Sequence, residues 1–192
     1  MVTNQALPPI VLASQSSRRI QLLRELVTDF QVVPSAADEL EDGSLGPRRL
    51  CEINAQRKAL VISKRFPEHL VIGADTLVFL DQEPLSKPPT LAAARIMLGR
   101  LSGKTHEVIT GVCLIHSAGS RLQVFSDATR VRFRTLSAEE IEDYLALVPV
   151  LDKAGAYALQ EEGHRLVEQV EGSRSNVIGL PIEALRHALE RW

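Results

Sequence analysis

Six short polar runs in this chain carry side chains suited to phosphate and a divalent cation. They are Ser14-Gln15-Ser16-Ser17-Arg18-Arg19, Gly73-Ala74-Asp75-Thr76, Lys87-Pro88, Ser102-Gly103-Lys104-Thr105-His106-Glu107, the stretch from Ala154 to Gln160, and Asn176-Val177-Ile178-Gly179-Leu180-Pro181. Hydroxyls and backbone amides at a strand-to-helix turn cradle anions, and arginine adds two-pronged, charge-assisted bonds. The Ser14–Arg19 run therefore reads as a phosphate cradle or as a serine-capped helix start with two solvated arginines. No glycine-rich Walker sequence occurs, which excludes a P-loop.

Asp75 follows a continuous apolar run, at or near a strand end, where α/β proteins place chemistry. Gly73 and Ala74 beside it leave room for a ligand to approach. Asp75 is equipped to bind a divalent metal or to take a proton from water; otherwise it starts a turn and caps Thr76. Lys58, Lys87 and Lys104 are counter-charges for phosphate or plain solvated lysines, and Pro88 holds Lys87 extended. Asp38 and Glu39 belong to an acidic loop running from Ala37 to Gly43. His106 adjoins a strand start and is either structural or functional; none of the five histidines has paired metal-ligand spacing. The Gln160 amide reads a base by donor and acceptor together, or it is an ordinary edge-strand residue. Arg130, Arg132 and Arg134 alternate along a strand and read as a solvated face.

The elements that must position these groups are mixed. Residues 9–13 form a buried strand, and Ile20, Leu23, Val27 and Phe30 then recur at helical spacing. Residues 31–33 form a second strand. Pro47 opens a helix to about Phe66, and residues 70–74 form a third strand that continues through 77–80 into a hairpin at 81–84. Thr90 caps a helix to Leu101, and 107–116 with 122–136 alternate as two long strands. Ser137 with Glu140 makes a capping box for a helix to about Leu147, and Pro181 opens the last helix, to Trp192. The hairpins argue against a purely parallel doubly wound sheet. The expected class is mixed α/β.

The 192 residues fit one domain with enough length for a sizeable core. A net charge of −2 carries no overall basic footprint, so no nucleic-acid polymer is expected as partner. Cys51 and Cys113 have no zinc-ligand spacing and read as reduced buried thiols of a cytoplasmic protein. Met1–Gln5 shows no leader pattern, and no run is long enough to span a membrane.

Taken in order, these blocks resemble the Maf family of nucleotide pyrophosphatases over about residues 10–185. Leu12-Ala13-Ser14-Gln15-Ser16-Ser17-Arg18-Arg19 is similar to the family's Leu-Ala-Ser-x-Ser-Pro-Arg-Arg signature, with Ser17 in place of the proline. Asp38-Glu39, Gly73-Ala74-Asp75-Thr76, Lys87-Pro88, the Leu101–Val108 block, Asp152-Lys153-Ala154-Gly155-x-Tyr157 and Asn176-Val177-x-Gly179-Leu180-Pro181 match further blocks. The resemblance implies a Maf/ITPase-like fold: one domain over residues 1–192, two lobes around an elongated mixed sheet, and a cleft between them. It implies cleavage of nucleoside triphosphates between the α and β phosphates with Mg2+ or Mn2+, in a homodimer. The catalytic acceptor maps to Asp75, metal binding to Glu39 and Asp75, and phosphate binding to Ser14, Arg18, Arg19, Lys58 and Lys87. Arg18, Thr76 and Gln160 occupy the positions that sort substrates, in the combination of the branch acting on dTTP and UTP. The resemblance also leaves two other readings: an enzyme that clears modified purine nucleotides, or a non-catalytic nucleotide sensor regulating septum formation. Arg174 stands where an aromatic residue commonly precedes Asn-Val, which would reshape the cleft wall.

Overall fold

A computed structural model describes residues 7–40 and 43–192. Met1–Gln5, on which the leader expectation rests, and Glu41 and Asp42 of the acidic loop lie outside the described residues. Among the described residues, seven strands form one mixed sheet in the spatial order β2-β1-β3-β5-β6-β7, with β4 also pairing to β3. They are β1 Ile10–Leu12, β2 Gln31–Val32, β3 Leu70–Leu80, β4 Glu83–Leu85, β5 Thr105–His116, β6 Arg121–Phe133 and β7 Val167–Glu171. The helices are α1 Ser17–Arg24, α2 Pro47–Ser63, α3 Leu91–Leu101, α4 Ala138–Leu147, α5 Arg174–Ile178 and α6 Ile182–Glu190. The mixed α/β class is as expected.

Local signals place the helix starts. Thr90 Oγ1 accepts from the Ala93 amide at 3.1 Å. At α4 the Ser137 hydroxyl accepts from the Glu140 amide, while the Glu140 carboxylate accepts from the Ser137 amide, so two otherwise orphaned donors are satisfied at once. The helical spacing of Ile20–Phe30 is realised as helix only to Arg24; tighter turns carry the chain on, with Leu26 and Val27 amides donating to the Leu23 carbonyl. The expected strand to Leu136 stops at Phe133, where the pairing with β7 shifts register. Neither β7 nor α5 is legible beforehand: β7 is a largely exposed strand rich in charge, and α5 has only five residues.

The long central strand β3 organises the molecule. One edge pairs with β5 from Val71 to Phe79. The other edge pairs with β1 up to Ile72 and with β4 from Val78 onward. Between them on that edge, residues 73–77 have no strand beside them among the described residues, while their other edge stays paired with β5. Asp75 is therefore in the middle of β3, not at its end, and it starts no turn. The gap along that edge comes from β1 stopping at Leu12.

Side-chain alternation along β3 separates two faces. Residues 71, 73, 75, 77 and 79 face α2, where Ala55, Ala59, Leu50 and Cys51 pack against Val71, Leu77 and Phe79. Ile72 and Ala74, on the other face, join α1 and α6 in one apolar cluster. Val78 and Leu80 join α3 and α4 in another. Thr76 falls between those two clusters on that same face.

Candidate functional site

The cleft is built around the unpaired stretch of β3 and has a volume of about 520 Å³. Why Asp75 is held there follows from two glycines. A Cβ on Gly73 would lie 2.4 Å from the Ala55 carbonyl oxygen, and one on Gly111 would lie 2.4 Å from the Cys51 backbone. Glycine at both positions lets α2 lie directly on the sheet. This corrects the expectation that Gly73 and Ala74 make room for a ligand: Gly73 makes room for a helix, and Ala74 is fully buried on the opposite face.

Close approach of α2 brings Asn54 and Lys58, one helical turn apart and so on one face, onto Asp75. The Lys58 Nζ donates to Asp75 Oδ1 at 2.6 Å and to Glu39 Oε1 at 2.6 Å. Asn54 Nδ2 donates to Asp75 Oδ2 at 3.1 Å. The same amide group is paired to the backbone of Leu40: it donates to the carbonyl at 3.0 Å and accepts from the N–H at 2.8 Å. Asn54 thus pins the segment bearing Glu39 against the strand bearing Asp75. It is a site residue missed in the sequence; its signal was its helical spacing of four from Lys58.

Asp75 is 3% exposed, so its charge stands in a poorly solvated setting and its partners matter. Burial pushes the Glu39 carboxyl up, but attraction and hydrogen bonding from Lys58, with the fields of Lys87 and Arg19, hold it below the usual carboxylate value. Two carboxylates converging on one cation form an oxygen donor pair of the kind that suits a hard divalent ion. No cluster of three or more His, Cys, Asp or Glu able to hold a metal occurs among the described residues. Two carboxylate donors are of the type and number by which a hard divalent ion is held where substrate phosphate and water complete its shell. Asp38 is exposed, and its carbonyl accepts from Arg57.

Across the break, α1 supplies the cationic wall. Ser16 caps the helix by accepting from the Arg19 amide, and the buried Ser14 hydroxyl accepts from the Ser16 amide. Arg19 turns inward: Nε donates to the Gly179 carbonyl at 2.8 Å and Nη2 donates to Thr76 Oγ1 at 2.9 Å. Burial lowers the Arg19 pKa from its usual value, opposed by the fields of Asp75 and Glu39. Arg18 donates to Asp152 at 3.2 Å. Lys87 is exposed on the segment after β4, next to buried Pro88. Gln160 is an exposed loop residue, not a strand residue, on a segment anchored by the Ala158 amide donating to the Tyr144 hydroxyl.

Ser14, Arg18, Arg19, Glu39, Lys58, Asp75, Thr76, Lys87 and Gln160 all line this one cleft. Lys104 does not; it is exposed in the turn before β5. Arg174 is exposed and absent from the lining, so the expected reshaping of the wall does not arise there. His106 is buried behind the cleft residue Tyr157, with Nε2 and the Tyr157 hydroxyl 2.9 Å apart, and edge-on to Phe133. Burial pushes its pKa down to about 4. Cys51 and Cys113 are free buried thiols, pushed up to about 12 by burial and hence unreactive. Arg130, Arg132 and Arg134 form the solvated face that their alternation indicates.

A family model described as Maf-like protein matches residues 9–192. A dTTP/UTP pyrophosphatase of Akkermansia muciniphila is 43% identical over 183 residues, covering 95% of this chain and 96% of the relative. Proteins of the same description from Gloeobacter violaceus and Pyrococcus abyssi are 43% and 42% identical, each match covering 92% of both chains. Among solved structures, a HAM1 protein from Coxiella burnetii superposes with a TM-score of 0.53 at 16% identity, over 97% of this chain and 100% of that one. That likeness concerns the fold alone. No helix among the described residues is long and apolar enough to cross a membrane.

Proposed function

Because the chain belongs to the Maf family, we propose that it is a nucleoside triphosphate pyrophosphatase, acting on dTTP and UTP and releasing the monophosphate and pyrophosphate. The observation that carries this reading is the convergence of Asp75, Glu39, Lys58, Arg19 and Lys87 on one cleft at the broken edge of β3. Relatives at about 40% identity described as dTTP/UTP pyrophosphatases support the substrate class.

In the reaction, water attacks the α-phosphorus and the bond to the oxygen bridging the β-phosphorus breaks, so that pyrophosphate leaves. Asp75 orients the water and accepts its proton. One lone pair on each Asp75 oxygen is engaged, by Lys58 and by Asn54, and a carboxylate has about four such sites. Arg19 and Lys87 offset charge building on the phosphate oxygens, in a site whose partial burial strengthens that attraction. Glu39 and Asp75 would hold Mg2+ or Mn2+. When bound, that ion neutralises phosphate charge and polarises the reacting centre. Gln160, Arg18 and Thr76 select the base side of the substrate. The unpaired thiols Cys51 and Cys113 support a reducing, cytoplasmic setting.

The test is pyrophosphate release from a panel of dTTP, UTP, dCTP, ITP, XTP and 7-methyl-GTP, with and without Mg2+ or Mn2+. Preference for dTTP and UTP, abolished by chelation, is expected. Preference for ITP, XTP or 7-methyl-GTP would overturn the substrate assignment, and tight UTP binding without any release would overturn catalysis.

A further inference from the structure

The two apolar clusters on the α1 side of the sheet are separated by a seam of polar groups. Thr76 on β3 is directly opposite Thr110 on β5, and their hydroxyl oxygens are 2.9 Å apart. Thr110 is fully buried, and its Oγ1 lies 3.1 Å from the Asn176 carbonyl oxygen. Asn176, also fully buried, donates from its side chain to the Val108 carbonyl and to Thr129 Oγ1, both at 2.9 Å. The Thr129 hydroxyl in turn donates to the Ser173 carbonyl at 3.0 Å. At the open end of this series is the Arg19 guanidinium.

Proton counting sets the direction of the series. A guanidinium only donates and a carbonyl only accepts, while each hydroxyl has one proton to give. Arg19 must donate to Thr76. Thr110 donates to the Asn176 carbonyl, since of those two oxygens only the hydroxyl carries a proton; the same carbonyl also accepts from the Gly179 amide at 3.0 Å. Thr110 is then left to accept, and the proton of Thr76 goes to it; the alternative acceptor, the Gly179 carbonyl, is more distant at 3.3 Å and already takes Arg19 Nε. The order is Arg19 to Thr76 to Thr110 to the Asn176 carbonyl, each link facing the next across a dry seam.

We infer that Thr110 is a positioning residue that holds the Arg19 guanidinium in the cleft, acting through Thr76, with α5 as its anchor. The inference rests on the reading of Arg19 as a phosphate ligand. It also assigns Thr76 an indirect part: its proton is committed inside the wall, so it influences substrate by aiming Arg19 and not by donating to a base. Thr110 itself is sealed from the cleft and does not line it. Loss of its hydroxyl takes the nearer acceptor from the Thr76 proton, which is left with the Gly179 carbonyl at 3.3 Å, while the Asn176 carbonyl keeps only the Gly179 amide; Arg19 gains freedom to turn away.

The experiment compares Thr110→Val, which keeps the shape, with Thr110→Ser, which keeps the hydroxyl. Two quantities are read: steady-state kinetics with dTTP, and the Arg19 Nε–H signal by 15N NMR in nucleotide-free protein. In Thr110→Val kcat/KM falls about tenfold, the scale of one weakened hydrogen bond to a charged group, and kcat shares in the loss because Arg19 offsets charge that builds in the transition state. The Arg19 signal exchanges faster with water. Thr110→Ser is close to the parent protein in both. An unchanged kcat/KM or an unchanged Arg19 signal in Thr110→Val overturns the inference whatever its melting temperature, as does a Thr110→Ser protein equally impaired. If Thr110→Val does not fold, the parent protein decides: hindered rotation of the Arg19 guanidinium supports the inference and free rotation overturns it. If the parent protein releases no pyrophosphate from any triphosphate, the functional reading fails separately and the Arg19 signal alone decides.

Discussion

The charged groups of the cleft and those along β6 are the same residue types in opposite settings. On β6 and one residue past its end, Arg130, Arg132 and Arg134 pair with Glu171, Glu168 and Glu140, and every member is 43–61% exposed at the side chain. In the cleft, Lys58 is 12% and Asp75 only 4% exposed at the side chain. Exposed pairs stay solvated, so each contributes at most about 1 kcal/mol. A desolvated group has no water to replace a lost partner, so removing one leaves a charge that must be neutralised or must drag the structure with it. The cleft set is accordingly cross-linked, Lys58 to two carboxylates and Asn54 to Asp75 and Leu40, while the β6 set is a row of independent pairs. The lesson is that burial and shared partners, and not the number of ion pairs, mark Asp75 and Lys58, whereas Glu39 and Lys87 are exposed and are marked only by the cleft they line.

The sharpest way to break this contrast is Asp75→Asn. Turnover of dTTP should fall about a thousandfold, the range of a lost general base, with circular dichroism native-like; the melting transition falls, because Lys58 then keeps only Glu39 as counter-charge, so turnover is read at a temperature where the variant is folded. Near-normal turnover would remove Asp75 from its proposed role. Next in size is the buried histidine, a polar group without a counter-charge. Burial lowers its pKa from 6.5 to about 4, so the unfolded chain binds the extra proton across that interval and stability rises with pH there. Stability is full above about pH 6.5 and is lost as pH falls towards 4, by about 3 kcal/mol in all. Urea unfolding at pH 7 and pH 5 should show this slope in the parent protein and a shallower one in His106→Gln.

Gly111→Ala probes how α2 is seated. Its new Cβ would meet the Cys51 backbone at 2.4 Å, and overpacking of this kind costs about 1–3 kcal/mol. Because the displaced helix bears Asn54 and Lys58, activity should drop more than stability alone predicts at a temperature where the variant is folded. The smallest effect belongs to Arg132→Ala on the solvated face. Its stability change should stay within about 0.5 kcal/mol with dTTP kinetics unaltered; a large loss of either would erase the distinction between the two regions.

Much of this was readable in advance, for reasons that are local. The caps at Thr90 and Ser137 act within three residues, and the two long strands β5 and β6 announce themselves by alternation. The motif residues at Ser14, Arg19, Asp75 and Lys87 were visible as chemical types in order. Asn54 was not visible, because its bonds to Leu40 and Asp75 span 14 and 21 residues. Thr110 was hidden likewise inside an apolar strand, and β7 pairs across an exposed edge with no apolar signature. Gly73 was seen but assigned to the wrong neighbour, since nothing near it in the chain reveals that α2 crosses there.

The amino-acid sequence alone determined which reactive groups exist, where the helices capped by Thr90 and Ser137 begin and that the sheet is mixed, since propensity, capping and alternation are settled by near neighbours. Tertiary structure alone decided which of those groups are dry, which share a partner and which merely face water. Desolvation and hydrogen-bond pairing depend on distances between remote segments: here, on β1 ending opposite Ile72 and on a helix lying against two glycines.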